Sequence, residues 1–173
     1  MLAMNLIQDE LLTPLGKLLL VADPQAVLVA VEFAEHESRM RELLRRRYGQ
    51  MQELRSGKLP TAQRAFEAYF SGEVAVISNL AVSVQGTEFQ QRCWLSLRRI
   101  PCGQTITYAQ QAQWVGSPKA YRAVGQANGL NLLAIVLPCH RVIGSNRQLT
   151  GYASGIDKKR WLLEHERQHI YKI

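Results

Sequence analysis

Apolar and polar residues alternate along this chain with two different periods, and the changes of period mark its elements. Residues 5–9, 17–22 and 27–33 predict three short strands. Thr13-Pro14-Leu15-Gly16 and Asp23-Pro24-Gln25 separate them with good turn chemistry. Residues 36–48 then place Met40, Leu43 and Leu44 at helical spacing among charges. Residues 61–70 repeat that pattern with Ala65, Phe66, Tyr69 and Phe70, and Gly72 stops it. Residues 78–86 read as a linker or crossing strand. Thr87-Glu88-Phe89-Gln90 fits a capping box opening a helix whose apolar stripe is Phe89, Cys93, Trp94, Leu97 and Ile100. A short helix over 108–115, Gly116-Ser117-Pro118 and a second helix over 119–128 have helix-turn-helix grammar. The apolar run that ends at Pro138 reads as a short buried strand or extended segment. The fold class is therefore α/β of the α+β kind. A small N-terminal mixed α/β domain, residues 1–80, precedes a mostly helical C-terminal domain with a helix-turn-helix, residues 87–173.

Composition narrows the partners. The chain has 173 residues, 47% of them hydrophobic, enough to bury a core as one domain or two small ones. No apolar stretch approaches the roughly 18 residues that span a bilayer, and the start carries no basic, apolar leader pattern; a cytoplasmic protein without membrane contact is expected. The three cysteines, Cys93, Cys102 and Cys139, show no CxxC pair, and the four histidines add no metal spacing to them. Free thiols, no metal and no cofactor are expected; Cys102, beside a helix-ending proline and glycine, reads as structural, and His165 with His169 as a solvated pair. Residues 1–86 hold nine Lys+Arg against ten Asp+Glu, whereas 87–173 hold twelve against four. A basic second half suggests a polyanionic partner. The second helix of the helix-turn-helix is rich in small residues (Ala120, Ala123, Gly125, Ala127, Gly129). Close packing inside the protein and close approach to a nucleic-acid groove both account for them.

Candidate chemistry centres on Pro138-Cys139-His140-Arg141. A cysteine after an apolar run is as a rule a buried hydrophobe. Here proline breaks regular pairing, so the sulfur sits at the mouth of a core element, next to a histidine able to generate the thiolate that does thiol chemistry. Cys139 is therefore a candidate nucleophile. The N-terminal half shows no chemistry beyond ordinary core formation.

The ordered set of motifs resembles the O6-alkylguanine-DNA alkyltransferases (methylated-DNA–protein-cysteine methyltransferases) in their bacterial stand-alone form. It includes Thr13-Pro14-Leu15-Gly16, Tyr69-Phe70-Ser71-Gly72, Ile100-Pro101-Cys102-Gly103 with Tyr108, and Arg122-Ala123-Val124-Gly125. It continues through Asn128-Gly129, Asn131, Pro138-Cys139-His140-Arg141-Val142-Ile143-Gly144, Gly151-Tyr152 and Trp161-Leu162-Leu163 with His165-Glu166. The resemblance implies repair of double-stranded DNA carrying O6-alkylguanine, and less well O4-alkylthymine. The damaged base is flipped and its alkyl group moves irreversibly to Cys139. His140 would relay the proton, Glu166 hold the histidine, Asn131 orient the thiol, and Tyr108 crowd the phosphate and donate to the base. Arg122 would fill the vacated stack, with Tyr121, Ala123 and Gly125 along the DNA-facing helix. Backbone groups of Cys139, Val142 and Ala153, with Tyr152 and Ser154, would wall the alkylguanine pocket. It also implies a protein monomeric in free solution and open to cooperative binding on DNA.

Departures from the family pattern are Leu132 in place of a proline, Ser154 where glycine is common, Arg147 for a turn glycine, and Tyr121 for an alanine. Asn146 beside Arg147 is the residue expected to take the left-handed conformation there. Two other readings compete: a thiol hydrolase or acyltransferase using Cys139-His140-Glu166, and a DNA-binding module that detects lesions without removing them. The helix-turn-helix, the charge split and Arg122 count against the first. Retention of Cys139 counts against the second.

Overall fold

In a computed structural model, residues 4–49 and 54–170 are described; residues 1–3, part of the start read above for a leader, lie outside them. The predicted strands form as an antiparallel meander, β1 (Leu6–Thr13), β2 (Gly16–Ala22) and β3 (Leu28–Phe33). Helix α1 (Glu37–Tyr48) follows, and the short β4 (Leu54–Ser56) returns parallel to β1, giving the order β3-β2-β1-β4. Alternate side chains of β2 face opposite layers, as the strand period requires. Leu19 and Val21 meet Met40, Leu43 and Leu44 of α1. Leu18, Leu20 and Ala22 point into the larger core, with Phe66 and Tyr69 of α2 (Pro60–Phe70). Both faces are covered, so β2 and β3 are nearly continuous apolar runs. Burial of each such leucine or valine stabilises by about 1.5–3 kcal/mol.

Residues 78–86 contain one strand-like contact, a parallel bridge from Val82 to Leu28. Helix α3 (Glu88–Ser96) opens with the expected capping box, Gln90 N–H to Thr87 Oγ1 at 3.2 Å and Thr87 N–H to Gln90 Oε1 at 3.0 Å. After β5 (Ile106–Thr107), the same device, Thr107 with Gln110, starts α4 (Tyr108–Trp114). Gly116 takes a φ of 78° and turns the chain. The next helix, α5 (Tyr121–Gly129), begins two residues later than its pattern predicts. Ser117 and Pro118 instead form a turn, closed by Ala120 N–H to the Ser117 carbonyl at 2.8 Å. Reciprocal amide bonds between buried Gln111 and Asn128, at 3.2 and 2.7 Å, fix α4 against α5. A two-residue β6 (Val142–Ile143) pairs parallel with β5, and α6 (Ile156–His169) completes the fold. The α+β reading holds.

The larger core draws on both halves: Leu18, Phe66 and Tyr69 share it with Trp94, Leu97, Leu137 and Leu162. The apolar run before Pro138 is not the strand expected. Leu132 accepts from Val31 N–H at 2.7 Å and Ala134 N–H donates back to Val31 at 3.1 Å; the chain then coils through tight turns. Ile135 adopts a φ of 72°, and Leu137 N–H donates to Leu133 at 2.9 Å. The run is apolar on all sides because every residue from Leu132 to Leu137 is buried between β3 and the helices.

Candidate active site

Pro138 ends this coiled run, and a single 3-10 turn over Cys139–Arg141 presents the three side chains in different directions. Cys139 is half-buried at the surface end, whereas His140 and Arg141 point inward. Asn131 shapes the approach. Its Oδ1 accepts from Leu133 N–H at 2.9 Å, and its Nδ2 donates to the Leu137 carbonyl at 2.8 Å and contacts Cys139 Sγ at 3.4 Å. One amide thus ties both ends of the run and touches the sulfur.

Glu166, on α6, is fully buried rather than solvated. Four donor contacts converge on its carboxylate: His140 Nε2 at 2.7 Å, Arg141 Nε and Nη2 at 2.8 and 2.9 Å, and Tyr69 Oη at 2.8 Å. Burial works against the carboxylate charge, but His140 and Arg141 outweigh it and hold the group ionised, well below the usual carboxyl range. Burial also pushes the His140 pKa down, so the ring is neutral and donates its Nε2 proton to Glu166. That tautomer leaves Nδ1 as a bare lone pair, buried and without a protein partner among the described residues. The Cys139 thiol is raised by burial and pulled partly back by the Asn131 amide and the Lys159 ammonium. At rest it is a thiol.

Lys159 was not anticipated. It is buried on α6 and donates to the carbonyls of Val142 at 2.6 Å and Thr150 at 2.8 Å. Burial draws its pKa down to about 8. The Val142 carbonyl, expected in the pocket, therefore already holds a donor. The three groups on Arg141 were also unseen: Glu166, the Ile100 carbonyl at 2.7 Å, and Cys102 Sγ at 2.9 Å. Cys102 thus serves the buried network. His165 is not solvated: it stacks on Trp161 with ring centroids 4.7 Å apart, and its Nε2 is 2.7 Å from the Tyr69 carbonyl.

Beside this centre runs an open cleft of about 670 Å³ between α5 and the loop after β6. Arg122, Gly125, Gln126 and Gly129 form its helix wall; Thr150, Gly151, Tyr152 and Ala153 form its loop wall, with Tyr108 at the junction. The small residues of α5 divide between both reasons for them: Ala127 packs in a core, whereas Gly125 and Gly129 open the cleft. Ala123 is half-buried, and Tyr121 and Arg122 are exposed at the start of α5. Tyr108 and Tyr152 both lie within electrostatic reach of the Cys139 thiol. Tyr108 Oη donates to the Thr150 carbonyl at 3.1 Å. The Ala153 N–H has no protein acceptor among the described residues. Ser154 departs from the expected placement: its hydroxyl turns away from the cleft to Glu32 at 2.9 Å. The left-handed residue of the preceding turn is Arg147 itself, at φ 61°, with Asn146 Oδ1 accepting from Gln148 N–H instead.

Residues 88–168 match the family model described as the DNA-binding domain of 6-O-methylguanine DNA methyltransferase. A methylated-DNA–protein-cysteine methyltransferase of Shigella flexneri is 44% identical over 168 residues, 94% of this chain and 96% of the relative. One from Salmonella typhimurium is 46% identical over 165 residues, covering 94% and 96%. The crystal structure of Mycobacterium tuberculosis O6-methylguanine methyltransferase superimposes with a TM-score of 0.79 at 35% identity, covering 95% of this chain and 94% of that one. The same organism's protein in complex with DNA gives 0.78 over 95% and 94%.

Proposed function

The chain belongs to the methylated-DNA–protein-cysteine methyltransferase family, and from that premise we propose that Cys139 is the sulfur that takes the alkyl group. The activity is direct reversal of DNA alkylation by transfer to cysteine, with DNA as the partner. The observation that carries the assignment is the buried Glu166–His140 pair, which leaves a histidine lone pair free on the residue that follows the half-buried Cys139 in the chain.

His140 Nδ1 accepts the thiol proton, through a water if one bridges them, and the imidazolium is stabilised by Glu166. The sulfur attacks the alkyl carbon on guanine O6, forming the C–S bond as the C–O bond breaks. The departing base takes a proton through Tyr108, which histidine restores, so the thiol proton ends on guanine. Tyr108 is able to release the Thr150 carbonyl because Lys159 still donates to it at 2.8 Å. The thioether has no route back, and the protein is consumed.

Residues 87–173 form the DNA-binding and acceptor unit in this reading, and residues 1–80 its scaffold. α5 lies in the minor groove, with Arg122 entering the stack in place of the flipped base; extrusion costs a few kcal/mol, roughly, and a planar cation offsets part of that. O6-alkylguanine in a duplex is the preferred substrate and O4-alkylthymine a poorer one. A cytoplasmic protein, monomeric off DNA, fits this role. Incubation of Cys139→Ala with DNA labelled in the methyl group tests the assignment: no label transfers while duplex binding persists, and label on the variant would move the acceptor elsewhere.

A further inference from the structure

One carboxylate of the N-terminal half connects to both walls of the cleft. Glu32 lies on β3 with both faces of the strand covered, and is 2% exposed. Its Oε1 accepts from Ser154 Oγ at 2.9 Å and from Phe33 N–H at 2.9 Å; its Oε2 accepts from Arg39 Nη1 at 3.0 Å. Arg39 passes the contact on, its Nη2 donating to the Gly129 carbonyl at the end of α5. Ser154 adjoins Ala153 of the loop wall, and Gly129 closes the helix wall. One buried anion from the other half of the molecule therefore connects to both sides of the cleft.

We propose that Glu32 is a positioning residue that sets the separation of the two cleft walls, through Ser154 on one side and Arg39 on the other. The inference rests on the assignment of Cys139 and its cleft made above. A buried charge is costly unless its lone pairs have donors, and beside the Phe33 N–H its donors, Ser154 and Arg39, are the groups that touch the walls. Because the carboxylate cannot move without leaving one of them unpaired, the loop and the helix are held at one spacing. A flipped base then meets a preformed slot, and its alkyl carbon arrives in line with the sulfur. Misplacement by a fraction of an ångström lowers rate far more than affinity, since alignment is needed only for transfer. Arg47 of α1 reinforces the helix side by donating to the Leu130 carbonyl while its guanidinium stacks 4.6 Å from the Trp94 ring.

The test is single-turnover methyl transfer at increasing concentrations of methylated duplex, with wild type, Ser154→Ala, Glu32→Gln and the double variant. Ser154→Ala is expected to slow transfer at saturating DNA about tenfold, with binding to undamaged duplex unchanged. The double variant should be no slower than the slower single one, because both cut the same clamp. A wild-type saturating rate in Ser154→Ala overturns the proposal, as does a lowered melting temperature with that rate intact. Effects that multiply in the double variant overturn it too. If Glu32→Gln does not fold, Ser154→Ala, which removes one oxygen, decides alone. Failure of the wild type itself to take up methyl would overturn the assignment of Cys139 and is read separately from the clamp.

Discussion

Replacing Glu166 with glutamine keeps the shape of the buried centre and removes its charge. Four donor contacts between 2.7 and 2.9 Å now converge on that carboxylate. The carboxamide retains one acceptor oxygen and turns an NH₂ toward donors, leaving the 5% exposed Arg141 guanidinium without its counter-ion. Breaking a buried pair in this way costs about 3–5 kcal/mol. At roughly 2–4 °C per kcal/mol for a chain of this size, the melting temperature should fall by about 6–20 °C. Transfer suffers separately. Without an anion to accept from Nε2, the histidine tautomer with a free Nδ1 is no longer favoured, and an imidazolium formed during the reaction loses its partner. The rate at saturating DNA should drop by about 10²–10⁴-fold, the usual contribution of general acid–base catalysis. The assay is quenched single-turnover transfer of labelled methyl well below the variant's melting temperature, with circular dichroism confirming the fold. A folded Glu166→Gln transferring at the wild-type rate would refute the reasoning. So would an unchanged melting temperature, which would mean that the pair is not the anchor its burial implies.

Other consequences follow from the same contacts. Asn131→Ala strands the buried Leu133 N–H and leaves the Leu137 carbonyl with only the Cys139 N–H at 2.8 Å, so it should destabilise by about 1–3 kcal/mol in urea denaturation. Because the amide also helps pull the thiol pKa down, iodoacetamide should modify Cys139 more slowly in Asn131→Ala, with its pH profile moved upward. In the wild type that profile should rise only above the ordinary thiol value of 9.0, since burial raises Cys139. Acid stability has a definite sign. His140 and Glu166 both have lowered pKa values in the folded state, so the unfolded chain binds more protons. Their contribution is complete above the ordinary histidine value of 6.5, declines as pH falls through it, and declines further below 4.5. Urea midpoints between pH 8 and pH 2.5 check this, and Glu166→Gln should flatten the lower limb. Arg122→Ala, at an exposed cleft position, should leave melting unchanged while slowing transfer and weakening fluorescence of a flipped-base reporter.

Local chemistry was legible in the sequence, and long-range chemistry was not. The three strands, α1, α2 and the Thr87–Gln90 cap follow from period and capping grammar that act over a few residues. The Thr107–Gln110 cap obeys the same grammar and could have been read the same way. The coiled path before Pro138 had no such signal: an apolar run buried on all sides looks alike as strand or turn, and a left-handed isoleucine is not a residue that composition announces. The site residues near Cys139 in the chain, Asn131 and His140, stand out by motif. Tyr69 lies 97 residues from Glu166 and Ser154 lies 122 from Glu32. Nothing in either neighbourhood hints at a partner, so these contacts, and the buried Lys159, needed the fold. The charge split was informative about partner but silent on Glu32, because one buried acid in a near-neutral half changes no total.

Intact-protein mass spectrometry after incubation with excess O6-methylguanine duplex tests the central claim most directly. The account predicts a gain of one methyl per chain, located by peptide mapping on the segment containing Cys139, and no further repair by the modified protein. Methyl on another residue, no gain in mass, or continued turnover would contradict it.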